Sequence, residues 1–143
     1  MAINQITVFL ENKAGALLDV TKLLSNNKVD LRAINIAETA DYGLLRLITA
    51  DNKKAEEVLK AENLIFTETP VLAVAIDDKA GALTDLLEVF AKNDINVHYM
   101  YSIFGNQDVK AYMIMQLSDI EKATKVLGDN NIVIAEPKDL KIG

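Results

Sequence analysis

A chain of 143 residues, half of them hydrophobic and a quarter charged, has a globular rather than a disordered balance. The absence of cysteine excludes disulfides, thiolate catalysis and Cys-ligated zinc or iron–sulfur centres, and a single histidine excludes an intramolecular His-rich metal site. A net charge of −6 argues against a general nucleic-acid binder, which would carry a basic stripe.

The start, Met1-Ala2-Ile3-Asn4-Gln5, has no charged region and no long apolar core, so no signal peptide is expected. No apolar run approaches the ~20 residues that a membrane span needs. A cytoplasmic protein without membrane association is therefore expected. Over residues 3–10, Ile6, Val8 and Leu10 alternate with Gln5, Thr7 and Phe9, which predicts a strand with one strongly apolar face. The turn Asn12-Lys13-Ala14-Gly15-Ala16-Leu17 follows and opens a helix over 15–27. Leu17, Val20 and Leu24 carry its apolar stripe, and Asn26-Asn27-Lys28 is its exit signal. Residues 29–38 and 42–50 read as strands joined at Thr39-Ala40-Asp41. Asp51 or Asn52 caps a helix over 53–61, with Ala55, Val58 and Leu59 facing in. Leu64-Ile65-Phe66 closes this half as a short strand.

After Thr69-Pro70 the same order begins again. Residues 71–76 form a strand, and the turn returns as Asp78-Lys79-Ala80-Gly81-Ala82-Leu83. Leu83, Leu86, Leu87 and Phe90 then recur at amphipathic helical spacing. Residues 95–104 and 109–117 form a hairpin around Gly105-Asn106-Gln107. Ser118 or Asp119 caps a helix that runs through Leu127 and ends at Gly128. Ile132-Val133-Ile134 is the closing strand, and the Lys-rich tail beyond Pro137 reads as a fraying terminus.

A β-α-β-β-α-β order written twice divides the chain into domains 1–69 and 70–143. Halves of ~65 residues are marginal alone, so each should lean on the other. Right-handed crossovers turn each half into an antiparallel sheet with two helices on one face, an α+β fold. The other face is apolar too: Met113 and Met115 alternate with Tyr112 and Ile114, and Leu45 and Leu47 with Leu44 and Ile48. Such a face calls for a cover. Either the two sheets stack, or the halves lie edge to edge and the joint sheet packs on another molecule, most simply in a homodimer.

No nucleophile–base pair stands out. Ser25, Ser102 and Ser118 lie in no strained strand–helix elbow, and His98 is the only imidazole. The Gly-rich phosphate and dinucleotide loops are missing, and acidic neighbours such as Asp77-Asp78 and Glu56-Glu57 read as solvated charges. No catalysis, no metal and no cofactor are expected. A binding site is better supported. Each turn aims unpaired backbone N–H groups at one spot with the helix dipole behind them, a place for a carboxylate or phosphate. A free amino acid also brings an ammonium, which needs acceptors. Asn12 and Asp78 stand three residues before Gly15 and Gly81, and the full charge of Asp78 should favour the second turn. On the strand over 95–104, alternation points His98 and Met100 to one face and Tyr99 and Tyr101 to the other. The plainer alternative is that both glycines only make turns and these side chains only fill the surface and core.

The doubled order, with strand, polar residue, Lys-Ala-Gly-Ala-Leu and helix at each start, resembles a tandem pair of ACT domains. These small-molecule-sensing modules are named for aspartokinase, chorismate mutase and the prephenate dehydrogenase family. Family members usually show an acidic residue or Asn, then x-Pro-Gly-x-Leu, at the first turn. Here Ala14 and Ala80 stand where Pro is usual, and Ala adopts the same backbone angles. The second-strand starts, Asp30-Leu31 and Asn96-Val97, are similar as well, and the likeness runs from Ile3 to Glu136. It implies two ferredoxin-like repeats in a joint eight-stranded sheet, with free amino acids bound at the domain interface. The ligand-binding residues it implies are Asn12, Ala14, Gly15, Ala16 and Leu17 at the first turn. At the second they are Asp78, Ala80, Gly81, Ala82 and Leu83, with Asn96, His98, Tyr99 and Tyr101 beside them. With no enzyme domain attached, it implies a free-standing amino-acid-binding regulator acting on a partner enzyme of amino-acid metabolism. The alternative is a subunit that binds no ligand and only dimerises to support another enzyme. RNA binding on this topology fails on charge and lacks the aromatic-basic pattern that stacks bases. An acylphosphatase-like hydrolase would need an Arg in the first turn, where only Lys13 and Lys79 occur.

Overall fold

The computed structural model describes residues 2–39, 41–103 and 110–143. The elements are β1 (Ile3–Glu11), α1 (Ala16–Asn26), β2 (Leu31–Glu38), β3 (Tyr42–Thr49), α2 (Asn52–Ala61) and β4 (Phe66–Asp77). They continue as α3 (Ala82–Lys92), β5 (Val97–Ser102), β6 (Lys110–Leu117) and α4 (Ile120–Asp129), with a 3-10 helix over Pro137–Leu140. The chain forms two units, one of Asn4–Thr69 with Lys141–Gly143 and one of Met1–Ile3 with Pro70–Leu140. Ala40 and the expected hairpin turn at Gly105-Asn106-Gln107, with Phe104 and Val109 beside it, lie outside the described residues.

In the first unit the strands are antiparallel in the order β2-β3-β1, with Val8 opposite Leu45 and Ile36 opposite Leu45 on the other side. Period-2 strands then meet period-3.6 helices. Ile6, Val8, Leu45 and Leu47 from the sheet pack with Val20 and Leu24 of α1 and Ala55 and Leu59 of α2. In the second unit the order is β4-β6-β5, with Leu72 opposite Met115 and Val74 opposite Met113. Leu72, Val74 and Met115 pack with Leu86 and Phe90 of α3 and Ala123 and Leu127 of α4. Each Val, Leu, Ile, Met or Phe side chain among these contributes ~1.5–3 kcal/mol on full burial. On the second face of each sheet Ala33 and Ile48, and Ala73 and Ile114, are buried as well, while Leu44 and Tyr112 are half-buried. There the amide of Gln5 donates to the Thr7 hydroxyl at 3.1 Å.

Of the candidate caps, Asp51 accepts from the Lys54 N–H at 3.1 Å and Asp119 from the Lys122 N–H at 3.0 Å. Asn52 and Ser118 are used differently. Asn52 pairs with the Thr49 hydroxyl, and the Ser118 hydroxyl accepts from the Asn96 N–H.

Several expectations are corrected. Among the described residues there are six strands, not eight. The expected strand 71–76 is part of a longer β4 that starts at Phe66 and runs through the exposed Pro70, while Leu64 and Ile65 of the expected strand 64–66 lie outside it. The expected strand 132–134 shrinks to a single bridge between Val74 and Ile134, framed by Ala75 N–H to Val133 O and Ala135 N–H to Ala73 O. α4 runs through Gly128 to Asp129. Only Leu86 and Phe90 of the α3 stripe are buried, while Leu83 and Leu87 stay 39% and 38% exposed. The tail does not fray. Asp139 accepts from the Glu136 N–H at 2.9 Å to close a turn that buries Leu140.

Candidate functional site

The two Gly turns are built alike. Gly15 and Gly81 are the N-caps of α1 and α3, with φ/ψ of 88°/−15° and 87°/−12°. That left-handed conformation suits glycine because other L-residues crowd Cβ against the next carbonyl. In the first turn the Lys13 N–H donates to Glu11 O at 3.0 Å and the Ala16 N–H to Lys13 O at 3.3 Å. In the second, Lys79 N–H to Asp77 O at 2.9 Å and Ala82 N–H to Lys79 O at 3.3 Å repeat the pattern. Neither helix has a side-chain cap, so the next N–H groups, of Leu17 and Leu18 and of Leu83 and Thr84, are left for solvent or a ligand. A Cβ built at either glycine would meet nothing within 4 Å, so the approach to the backbone is open.

A cavity of about 320 Å³ lies at the first turn. It takes in Asn12, Ala16 and Leu17, while Ala14 and Gly15 are exposed outside its lining. It also takes in residues that sequence reasoning missed: Glu11, Lys13 and Leu10, and from the neighbouring strands Ile36, Ala37, Glu38 and Gly43. The Asn12 amide donates to Glu38 Oε2 at 3.4 Å, and Lys13 Nζ pairs with Glu11 Oε2 at 3.0 Å. The first turn therefore has its own carboxylate beside Asn12, supplied by the end of β2. Strand pairing holds the signal, since Glu38 and Leu10 flank the same residue, Gly43.

The second turn borders a different cavity, also of about 320 Å³, between α3 and residues 130–133. Of the expected residues only Ala82 lines it; Asp77, Lys79 and Asp85 bring the charge. Asp78, Ala80, Gly81 and Leu83 are exposed. The β5 residues line neither cavity. Asn96 is exposed and bonds through its backbone to Ser118. Tyr99 and Tyr101 share a face, as alternation predicts, and stack with centroids 6.4 Å apart; Tyr101 is buried. His98 departs from the expected pattern. An irregularity between Val97 and Tyr99 takes it out of register. Its ring reaches the side chain of Gln116, the partner of Tyr99, whereas Met100 packs on the helix side.

Among the described residues no group of three or more His, Asp or Glu is placed to hold a metal ion. No helix among them is long and apolar enough to cross a membrane.

The crystal structure of protein BT0572 from Bacteroides thetaiotaomicron is 33% identical and superposes with a TM-score of 0.90, covering 99% of this chain and 96% of that one. The ligand-free regulatory subunit of aspartate kinase from Thermus thermophilus shares the fold at 13% identity and a TM-score of 0.60, covering 88% and 90%. The regulatory subunit of aspartate kinase from Thermus flavus does so at 12% identity and 0.60, with the same coverage. No curated protein matches. The ACT domain pair model matches residues 1–142, the span that holds both Gly turns and all six strands described, and the chain belongs to that family.

Proposed function

We propose that this ACT domain pair is a free-standing amino-acid-binding regulator with no catalysis of its own, acting on a partner enzyme of amino-acid metabolism. Domains 1–69 and 70–143 each offer one Gly turn, and a homodimer is the working assembly. The observation that carries this reading is the first-turn cavity, where uncapped N–H groups, the Glu38 carboxylate and an apolar lining meet. A ligand carboxylate would take the N–H groups at the helix start. Its ammonium would take Glu38 and Asn12, because charge-assisted hydrogen bonds are the stronger kind. At the second turn Asp78, exposed just before the helix start, would receive the ammonium. The regulatory role draws on the shared fold, which the Thermus thermophilus aspartate kinase uses in its regulatory subunit.

A thermal-shift screen of the twenty amino acids tests the reading. A ligand at 100 times its Kd adds ~2.7 kcal/mol, a plain rise in Tm. If no amino acid moves the Tm, the alternative of a supporting subunit without a ligand stands instead.

A further inference from the structure

We infer that the first-turn cavity selects a neutral aliphatic side chain, and that Gly43 sets the size it accepts. This rests on the amino-acid-binding reading and goes beyond it by naming the ligand class.

Glycine inside a strand is costly, and it commonly marks close approach of another group. Gly43 is such a residue, paired with Leu10 on one side and Glu38 on the other. Its φ is not in the left-handed region, so the backbone does not demand glycine. A Cβ placed there would meet Leu10 Cβ at 3.8 Å and Ala37 O at 3.9 Å, ordinary contact distances. Gly43 lines the cavity, so a Cβ there would sit in ordinary contact with Leu10 and Ala37 and take up room at the cavity wall without a clash. Around it stand Leu10, Leu17 and Ile36, and Ile36 is left 53% exposed at the cavity. A bound aliphatic group would cover it.

Charge narrows the class further. A ligand side-chain carboxylate would face Glu11 and Glu38. A side-chain cation would find Glu11 already held by Lys13 at 3.0 Å, with Glu38 needed for the α-ammonium. A neutral apolar side chain meets neither cost.

Calorimetry with L-alanine, L-valine, L-leucine, L-lysine and L-glutamate tests this on the full chain. Each buried methylene contributes about fourfold in affinity, so leucine should bind tens of times tighter than alanine, with lysine and glutamate weaker than leucine. Gly43→Ala should cut leucine binding at least tenfold and alanine binding much less. Ile36→Ser, at an exposed position, should lower leucine binding severalfold and guards against a folding defect in the first variant. If lysine or glutamate binds best, the aliphatic inference is overturned while the amino-acid reading survives. The same holds if leucine binds but neither substitution weakens it, because the ligand then lies elsewhere. If none of the twenty amino acids binds, the functional reading itself falls, and this inference with it.

Discussion

Asn12 donates its side-chain amide to Glu38 across 3.4 Å, tying the first Gly turn to the end of β2. The contact gives the turn an anion that its own six residues lack. Glu38→Gln should therefore weaken amino-acid binding at this turn by about ten- to a hundredfold, the range of a lost charged hydrogen bond of ~1.5–3 kcal/mol. Asn12→Ala should cost only severalfold, because it orients the carboxylate and leaves the charge in place. Calorimetry with the ligand found by screening checks both, and an equal loss in the two variants would argue against Glu38 as the ammonium partner.

The paired glycine conformations make a stability prediction that is independent of any ligand. With φ near 88° and open space around each missing Cβ, Gly15→Ala and Gly81→Ala meet strain but no clash. Each should lower stability by about 1–2 kcal/mol, and by similar amounts, in urea unfolding. A markedly unequal pair of values would mean that the two turns are not equivalent in energy despite their matched geometry.

Much of the fold was legible because strands and helices carry different apolar periods. Val8 and Leu10 against Val20 and Leu24 announce a sheet under a helix, and Gly15 and Gly81 announce the turns. What remained hidden depended on residues far apart in sequence. Glu38 reaches Asn12 only through the shared neighbour Gly43, and no local pattern in the turn points to it. His98 changes face because one extra residue in β5 breaks the alternation, which period counting cannot foresee. Pro70 looked like punctuation, yet an exposed strand position tolerates a residue without an N–H.

Glu56 on α2 gives a pH-dependent prediction. Partial burial, a hydrogen bond with Glu68 and the repulsion of its charge raise the Glu56 pKa, and Lys60 opposes the shift. Because the folded pKa lies above the unfolded one, folding favours the protonated form. That contribution is complete below the unfolded pKa and is lost as pH rises through the folded value. Near pH 7 the two carboxylates simply repel. Glu68→Gln should raise stability at pH 7 by a few tenths of a kcal/mol, the usual scale for exposed charge pairs. The gain should shrink as the pH falls and Glu56 takes up its proton, because the repulsion between the two charges is then lost. Urea unfolding at pH 7 and pH 3.5 reads this directly, and a gain of the same size at both would place its origin elsewhere.

The C-terminal turn supplies the last prediction. Pro137 fixes the backbone entry to the 3-10 helix, and Asp139 holds the Glu136 N–H at 2.9 Å. The result is that Leu140 is only 3% exposed, against the expectation of a loose Lys-rich tail. A buried leucine cut back to alanine loses its transfer energy and leaves a cavity, at ~2–5 kcal/mol. Leu140→Ala should fall in the lower part of that range, because a terminal turn can partly collapse into the space. Lys138→Ala, which removes only an exposed ion pair with Glu136, should stay within ~0.5 kcal/mol of the parent. Asp139→Ala should lie between them, since it removes the bond that closes the turn while leaving Leu140 able to dock. If Leu140→Ala unfolds in urea at the parent's midpoint, the tail does not hold its place in solution and the terminus frays as its Lys-rich composition suggests.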